Sequence, residues 1–270
     1  MTPVRLGAVG YLNARPLVFG LERSPRFDLR YDLPSECARL LHAGDIDVGL
    51  IPSIEYLRGD SYRIVSDLTI ASSGPVNSVA LFTTRPISDV RSIRMDTSSR
   101  TSVALVRVLC ARLFKIAPAI EPHGPDLDAM LRGADAALII GDTALLADPV
   151  RLNGRSREVT KIDLGEAWTS MTGLPFVWAF WAGRPGALNA DDLAALRAAR
   201  DEGVANPEAI AREYFTAAPH HREIGARYLR DNIKYYLGDS ERAGLELFYR
   251  YAAEIGVVGP TGDLRFYGQG

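Results

Sequence analysis

The sequence predicts an α/β protein of two similar lobes, each built on a mixed sheet, with a ligand cleft between the lobes. Two internal repeats and a set of polar turns carry that prediction. The phrase helix, glycine, strand, helix occurs at Glu36–His42, Gly44, Asp47–Ile51 and Ile54–Leu57, and again at Leu127–Leu131, Gly133, Ala136–Ile140 and Thr143–Leu146. Aligned on Asp47 and Asp135, Leu50 and Ile51 fall on Leu138 and Ile139, and Pro52-Ser53 falls on Ile140-Gly141. A second pair matches Leu6–Gly10 and the turn Tyr11-Leu12-Asn13 to Ser92–Met95 and the turn Asp96–Ser99, each followed by a helix.

Arg5–Val9 is an apolar run of strand length, and Arg15-Pro16 opens a short helix because proline suits a first helical turn. Gly44 stops the next helix, since glycine readily takes the left-handed conformation at a helix end. Thr101–Phe114 is helical, with Val103, Val106, Leu109, Cys110 and Leu113 at helical spacing. Ser78–Thr83 and Pro175–Trp181 are β-rich and end at Arg85-Pro86 and Gly183-Arg184-Pro185, which marks them as crossover strands between lobes. From Ala190 the pattern is helical: Asp192–Glu202 with Asp191 as N-cap, then Pro207–Thr216, His220–Leu237 and Ser240–Ile255, all expected to pack on the first lobe. Gly256–Gly270 reads as a tail. The expected first lobe is therefore 1–84 plus 182–270 and the second 85–181, joined near 78–84 and 175–182.

Composition narrows the partners. In a chain of 270 residues, 31 Lys and Arg against 33 Asp and Glu leave a net charge of −2, so no global field recruits nucleic acid or an acidic membrane. An anionic ligand has to be held locally. The apolar stretches Val103–Leu113 and Leu174–Ala182 are interrupted or too short to span a bilayer, and the N-terminal residues run straight into a strand without a secretory pattern, so a cytoplasmic location is expected. Cys37 and Cys110 lie far apart on helical segments and read as reduced core residues. His42, His123 and the pair His220-His221 have no metal-ligand spacing, and neither a dinucleotide or phosphate-loop glycine pattern nor a nucleophile elbow is present.

The polar turns are where chemistry is expected. Asp96–Ser102 lies between a strand and a helix, so the first helical N–H groups and several hydroxyls converge, an arrangement suited to a carboxylate or phosphate. Ser99 could equally be a simple N-cap with the other hydroxyls solvated. Ser53 and Gly141-Asp142 occupy comparable strand-to-helix junctions, at the strand ends where open α/β sheets bind ligands. Three such junctions favour an anion cleft. Asn13 stands at the end of the first strand, as a ligand contact or as the Asx turn that caps the helix at Pro16.

On Gly7–Leu17, Gly44–Pro52 and Asp96–Leu105 the chain resembles the menaquinone-biosynthesis (futalosine pathway) family, which comprises chorismate dehydratase and 1,4-dihydroxy-6-naphthoate synthase. With Pro175–Gly183 the likeness spans nearly the whole chain. It implies the type II periplasmic-binding-protein fold. The Tyr11-Leu12-Asn13 start resembles the dehydratase branch, whereas the synthase branch uses a second-lobe histidine, for which His123 on its loop is a poor substitute. The implied reaction is chorismate to 3-[(1-carboxyvinyl)oxy]benzoate and water, without metal or organic cofactor. The implied site has Asn13 at the reacting face, carboxylates held by Ser53, Ser78, Ser99, Arg100, Thr101 and Ser102, and Gly141-Asp142 at the opposite junction. A solute-binding protein without catalysis would use the same two lobes.

Overall fold

The computed structural model describes residues 2–59, 61–147, 158–260 and 262–268. One sheet holds β1 (Val4–Val9), β2 (Phe27–Asp32), β3 (Val48–Pro52), β4 (Arg63–Ser72) and β10 (Phe176–Gly183). The other holds β5 (Val79–Thr83), β6 (Ser92–Asp96), β7 (Ala119–His123), β8 (Ala136–Ile140) and β9 (Thr160–Asp163). Their orders, β2-β1-β3-β10-β4 and β7-β6-β8-β5-β9, are the same topology written twice. β1 and β6 are each flanked by two parallel neighbours, and β10 and β5 each run antiparallel to both of theirs. The two repeats seen in the sequence are thus equivalent strands of the two lobes.

The division between lobes differs from the one read off the sequence. Val79–Thr83, expected in the first lobe, pairs with β8 and β9 of the second, from Val79↔Ile140 to Thr83↔Ala136 and from Ala80↔Asp163 to Thr83↔Thr160. Phe176–Trp181, expected in the second, pairs with β3 and β4 of the first. The chain crosses before each of these strands, not along it. Both are fully buried runs, and such a run carries no alternation to say which sheet it joins.

The edge of β4 explains two further departures. The helix expected over His220–Leu237 is broken into a 3-10 turn at Pro219–His221, helix α8 (Arg222–Arg227) and a widened turn at Tyr228–Asn232, after which Ile233 is extended. Lys234 then exchanges both backbone hydrogen bonds with Ala71. The expected tail docks as well: Ile64 N–H donates to Arg265, and Tyr267 N–H donates to Ile64. An uncovered strand edge would leave these groups unpaired, and the C-terminal chain supplies the partners.

The remaining helices are α1 (Pro34–Ala43), α2 (Arg100–Leu109), α3 (Leu127–Gly133), α4 (Gly141–Leu146), α5 (Leu164–Thr172), α6 (Ala190–Ala205), α7 (Pro207–Tyr214) and α9 (Asp239–Glu254). α6 is capped by Asn189 rather than Asp191. The Asn189 side chain accepts from Asp192 N–H, and the Asp192 carboxylate accepts from Asn189 N–H, a capping box. α6 packs on the 3-10 helix Leu12–Val18, where a Cβ on Gly203 would fall 2.3 Å from the Pro16 carbonyl oxygen. α9 packs on β10 and also on α2, so the C-terminal helices cover the seam between the lobes and not the first lobe alone. Cys37 and Cys110 are buried free thiols. No helix among the described residues is long and apolar enough to cross a membrane.

Candidate active site

The carboxyl ends of β1, β3, β6 and β8 face one another across the lobe boundary, and the turns that follow them form the site. Between them is a cavity of about 50 Å³, lined by Tyr11 and Asn13 after β1, Ser99 and Ser102 after β6, and Gly141 after β8. Ser78 and Val76 on the first crossing, and Ile70, Trp178 and Ala179 from β4 and β10, also line it. None of the described lining residues carries a charge. The cavity offers hydroxyls, an amide and the N-terminal turn of α2, on apolar and aromatic walls.

Asn13 is the most telling of these residues. Its backbone carbonyl accepts from the Tyr235 hydroxyl at 3.1 Å, which fixes the turn, while its side-chain Oδ1 is buried and has no hydrogen-bond partner among the described residues. The Asx cap weighed for the helix at Pro16 is not formed, because Tyr11 holds the N-cap position without a side-chain bond. A buried amide oxygen without a partner is costly to the fold, so this acceptor is an opening for a ligand group.

The Ser-Arg-Thr-Ser turn divides its functions. Ser99 caps α2, accepting from Ser102 N–H, and its hydroxyl lies 2.9 Å from that of Ser102 at the cavity wall. Thr101 is fully buried and points elsewhere: its Oγ1 accepts from Ile54 N–H at 3.2 Å and lies 3.3 Å from Ser53 Oγ. Ser53, also fully buried, donates to the Val177 carbonyl at 2.8 Å. Arg100 turns outward to Glu55, 2.7 Å away, whose buried carboxylate also meets His42 and Arg58. Ser53, Arg100 and Thr101 therefore tie the lobes together beside the cavity and do not line it. Adjacent residues on a helical first turn point about 100° apart, so of the four in this turn only Ser99 and Ser102, three positions apart, face the cavity.

Asp142 is another seam residue. Its carboxylate accepts from Leu12 N–H at 3.3 Å and from the Tyr214 hydroxyl, joining the second lobe to α7. Burial raises its pKa against the opposing effect of these two donors. Gly141 takes φ of +65°, and a Cβ there would lie 3.0 Å from the Tyr11 ring. Tyr11 reaches across to Ser98, hydroxyl oxygens 3.4 Å apart, and burial raises its pKa so that it stays protonated at neutral pH.

Two contributors escaped the sequence reading, and a third, Trp178, reads there with Trp168 and Trp181 as core or hinge packing, one of which could line the cleft. Trp178 walls the cavity and donates from Nε1 to Ser72 Oγ at 3.1 Å. Tyr228 donates to Ser78 Oγ at 2.6 Å from behind the wall. Asp163 accepts from Val76 N–H at 3.0 Å and Asn77 N–H at 2.6 Å, pinning the crossing that carries Ser78; Asn77 has φ of +61° there. Each lies far in sequence from the turn it supports. Gly74-Pro75 and the asparagine before Ser78 are local signs of a tight turn.

Known proteins match the chain in both sequence and fold. The family described as menaquinone biosynthesis matches residues 4–254. A chorismate dehydratase of Thermus thermophilus is 33% identical over 264 residues, covering 92% of this chain and 94% of that protein. A chorismate dehydratase of Campylobacter jejuni is 30% identical over 183 residues, 64% of each chain. Among solved structures, protein AF1704 from Archaeoglobus fulgidus has a TM-score of 0.74 at 18% identity, covering 95% of this chain and 99% of that one. The periplasmic aliphatic sulphonate binding protein SsuA of Escherichia coli has a TM-score of 0.64 at 16% identity, with 98% and 96% covered. The fold is thus that of the periplasmic binding proteins.

Proposed function

The chain belongs to the menaquinone biosynthesis family, and from that premise we infer that it is a chorismate dehydratase whose active site is the interlobe cavity. It removes water from chorismate to give 3-[(1-carboxyvinyl)oxy]benzoate. The futalosine route and a cytoplasmic setting belong to the same reading, and two buried reduced thiols suit that compartment. The observation that carries the reading is the likeness to the Thermus thermophilus dehydratase along nearly the whole of both chains.

The C3 hydrogen of chorismate is acidic because the ring carboxylate is conjugated to C3 through the diene. Its loss gives an extended enediolate, which expels the C4 hydroxyl. The C3–H and C4–O bonds break, a proton and hydroxide leave as water, and the ring becomes aromatic. The protein has to fix two carboxylates, stabilise the enediolate and orient the leaving hydroxyl.

In this reading Ser78, Ser99 and Ser102, with the N-terminal turn of α2, hold the carboxylates as neutral donors. Neutral donors stabilise an enediolate without neutralising the charge that drives C4–O cleavage. Asn13 accepts from the C4 hydroxyl and orients it as it leaves; an amide is no base at neutral pH, so the C3 proton goes to a substrate carboxylate or to water. Ser53, Arg100, Thr101 and Asp142 hold the lobes in register behind these groups. Because the cavity lies between the two lobes, closure of the lobes on the substrate would complete the site. Incubating the purified protein with chorismate and following the mass of the small molecule tests the reading: loss of one water is expected, and unchanged chorismate refutes it.

A further inference from the structure

Tyr228 opens the widened turn after α8 and is almost completely buried, as is Ser78. Its hydroxyl donates to Ser78 Oγ at 2.6 Å. A serine hydroxyl has one proton to give, and one that accepts from a tyrosine points its own proton away from that tyrosine. Among the described residues the bond from Tyr228 is the only one at Ser78 Oγ, and Ser78 lines the cavity. The proton of Ser78 is therefore left for a group in the cavity. Burial raises the Tyr228 pKa well above that of a free phenol, so the donor remains protonated at physiological pH.

The polarity thus runs from Tyr228 O–H to Ser78 and from Ser78 O–H to the ligand.

We propose that Tyr228 is a positioning residue that fixes the Ser78 hydroxyl as a hydrogen-bond donor to a ligand carboxylate. The identity of that carboxylate as part of chorismate rests on the function inferred above. The polarity of the chain does not, because it follows from the bonding of Tyr228 and Ser78 alone.

The test uses the full chain with two readouts: binding of benzoate, the simplest ring carboxylate, by calorimetry, and chorismate turnover. Y228F and S78A should each weaken benzoate about tenfold, as expected when a charged acceptor loses an oriented donor. The double variant should bind like S78A, since Tyr228 acts through Ser78. Y228F should lower kcat/KM for chorismate by a similar factor. Losses that add in the double variant, or a wild type that does not bind benzoate, overturn the proposal. Should Y228F fail to fold, 3-fluorotyrosine at position 228 keeps the shape and strengthens the phenol as a donor. It should tighten benzoate binding, and an unchanged affinity also overturns the proposal. A wild type that binds benzoate with the coupled pattern but leaves chorismate intact strikes only the functional reading.

Discussion

Thr101→Val separates a cleft residue from a seam residue. Valine keeps the volume of threonine and removes the oxygen that accepts from Ile54 N–H and faces Ser53 Oγ. Thr101 has no exposed surface, so no solvent replaces that acceptor. Ser53 keeps its bond to the Val177 carbonyl, so the variant strands one buried N–H and loses one hydroxyl–hydroxyl contact. Stranding a buried donor costs about 1–3 kcal/mol, and the second contact adds at most about 1 kcal/mol. The expected total of about 1–4 kcal/mol lowers the melting temperature by on the order of 2–16 °C for a chain of this size. Calorimetric melting of wild type, Thr101→Val and Thr101→Ser reads the effect; Thr101→Ser keeps the oxygen and should recover most of the loss. Chorismate affinity, measured well below the melting range, should change less than threefold. A Thr101→Val protein that melts like wild type and binds chorismate tenfold more weakly would refute the seam assignment and put this hydroxyl in the cleft.

Other outcomes follow from the same geometry. Asn13→Ala should fold with little loss of stability, because Oδ1 has no partner to lose, yet retain less than a tenth of wild-type kcat; near-normal turnover in a stopped mass assay would remove Asn13 from the reaction. Asp142 has a folded pKa raised by burial, so between the ordinary carboxylate value and the raised one the folded state binds more protons than the unfolded state. Stability from this group therefore falls as pH rises through that window and is regained on acidification. Asp142→Asn, which keeps an acceptor for Leu12 and Tyr214, should be at least as stable at pH 7 and lose that part of the pH dependence in denaturant titrations at a series of pH values. Gly141→Ala forces a side chain into a left-handed conformation at about 1 kcal/mol and presses a methyl on the Tyr11 ring. Its melting temperature should drop by a few degrees and chorismate binding should weaken, whereas wild-type affinity would show that the Tyr11–Gly141 contact is not part of the site.

The sequence by itself determined the two-lobe α/β plan, because local patterns encode strand, cap and turn. Gly44, with φ of +85°, ends α1 as its position requires, and the repeat of β3 with β8 is written in matched apolar runs. It also determined which turns meet, since strand ends in such sheets converge on one side. Family likeness reached the reaction from Tyr11-Leu12-Asn13 and the Ser-Arg-Thr-Ser turn. Only the tertiary structure decided the partners of those turns. Strands β5 and β10 are exchanged between lobes because a buried apolar run fits either sheet, and the hydrogen bonds of the completed sheets make the choice. Rotation about the α2 axis sends Ser99 and Ser102 to the cavity, Thr101 to Ser53 and Arg100 to Glu55, which four consecutive polar letters do not specify. Tyr228 stands 150 positions from the serine it orients. A polar group's role is set by the lone pair or proton facing it in space, and that is fixed only when segments distant in sequence pack together.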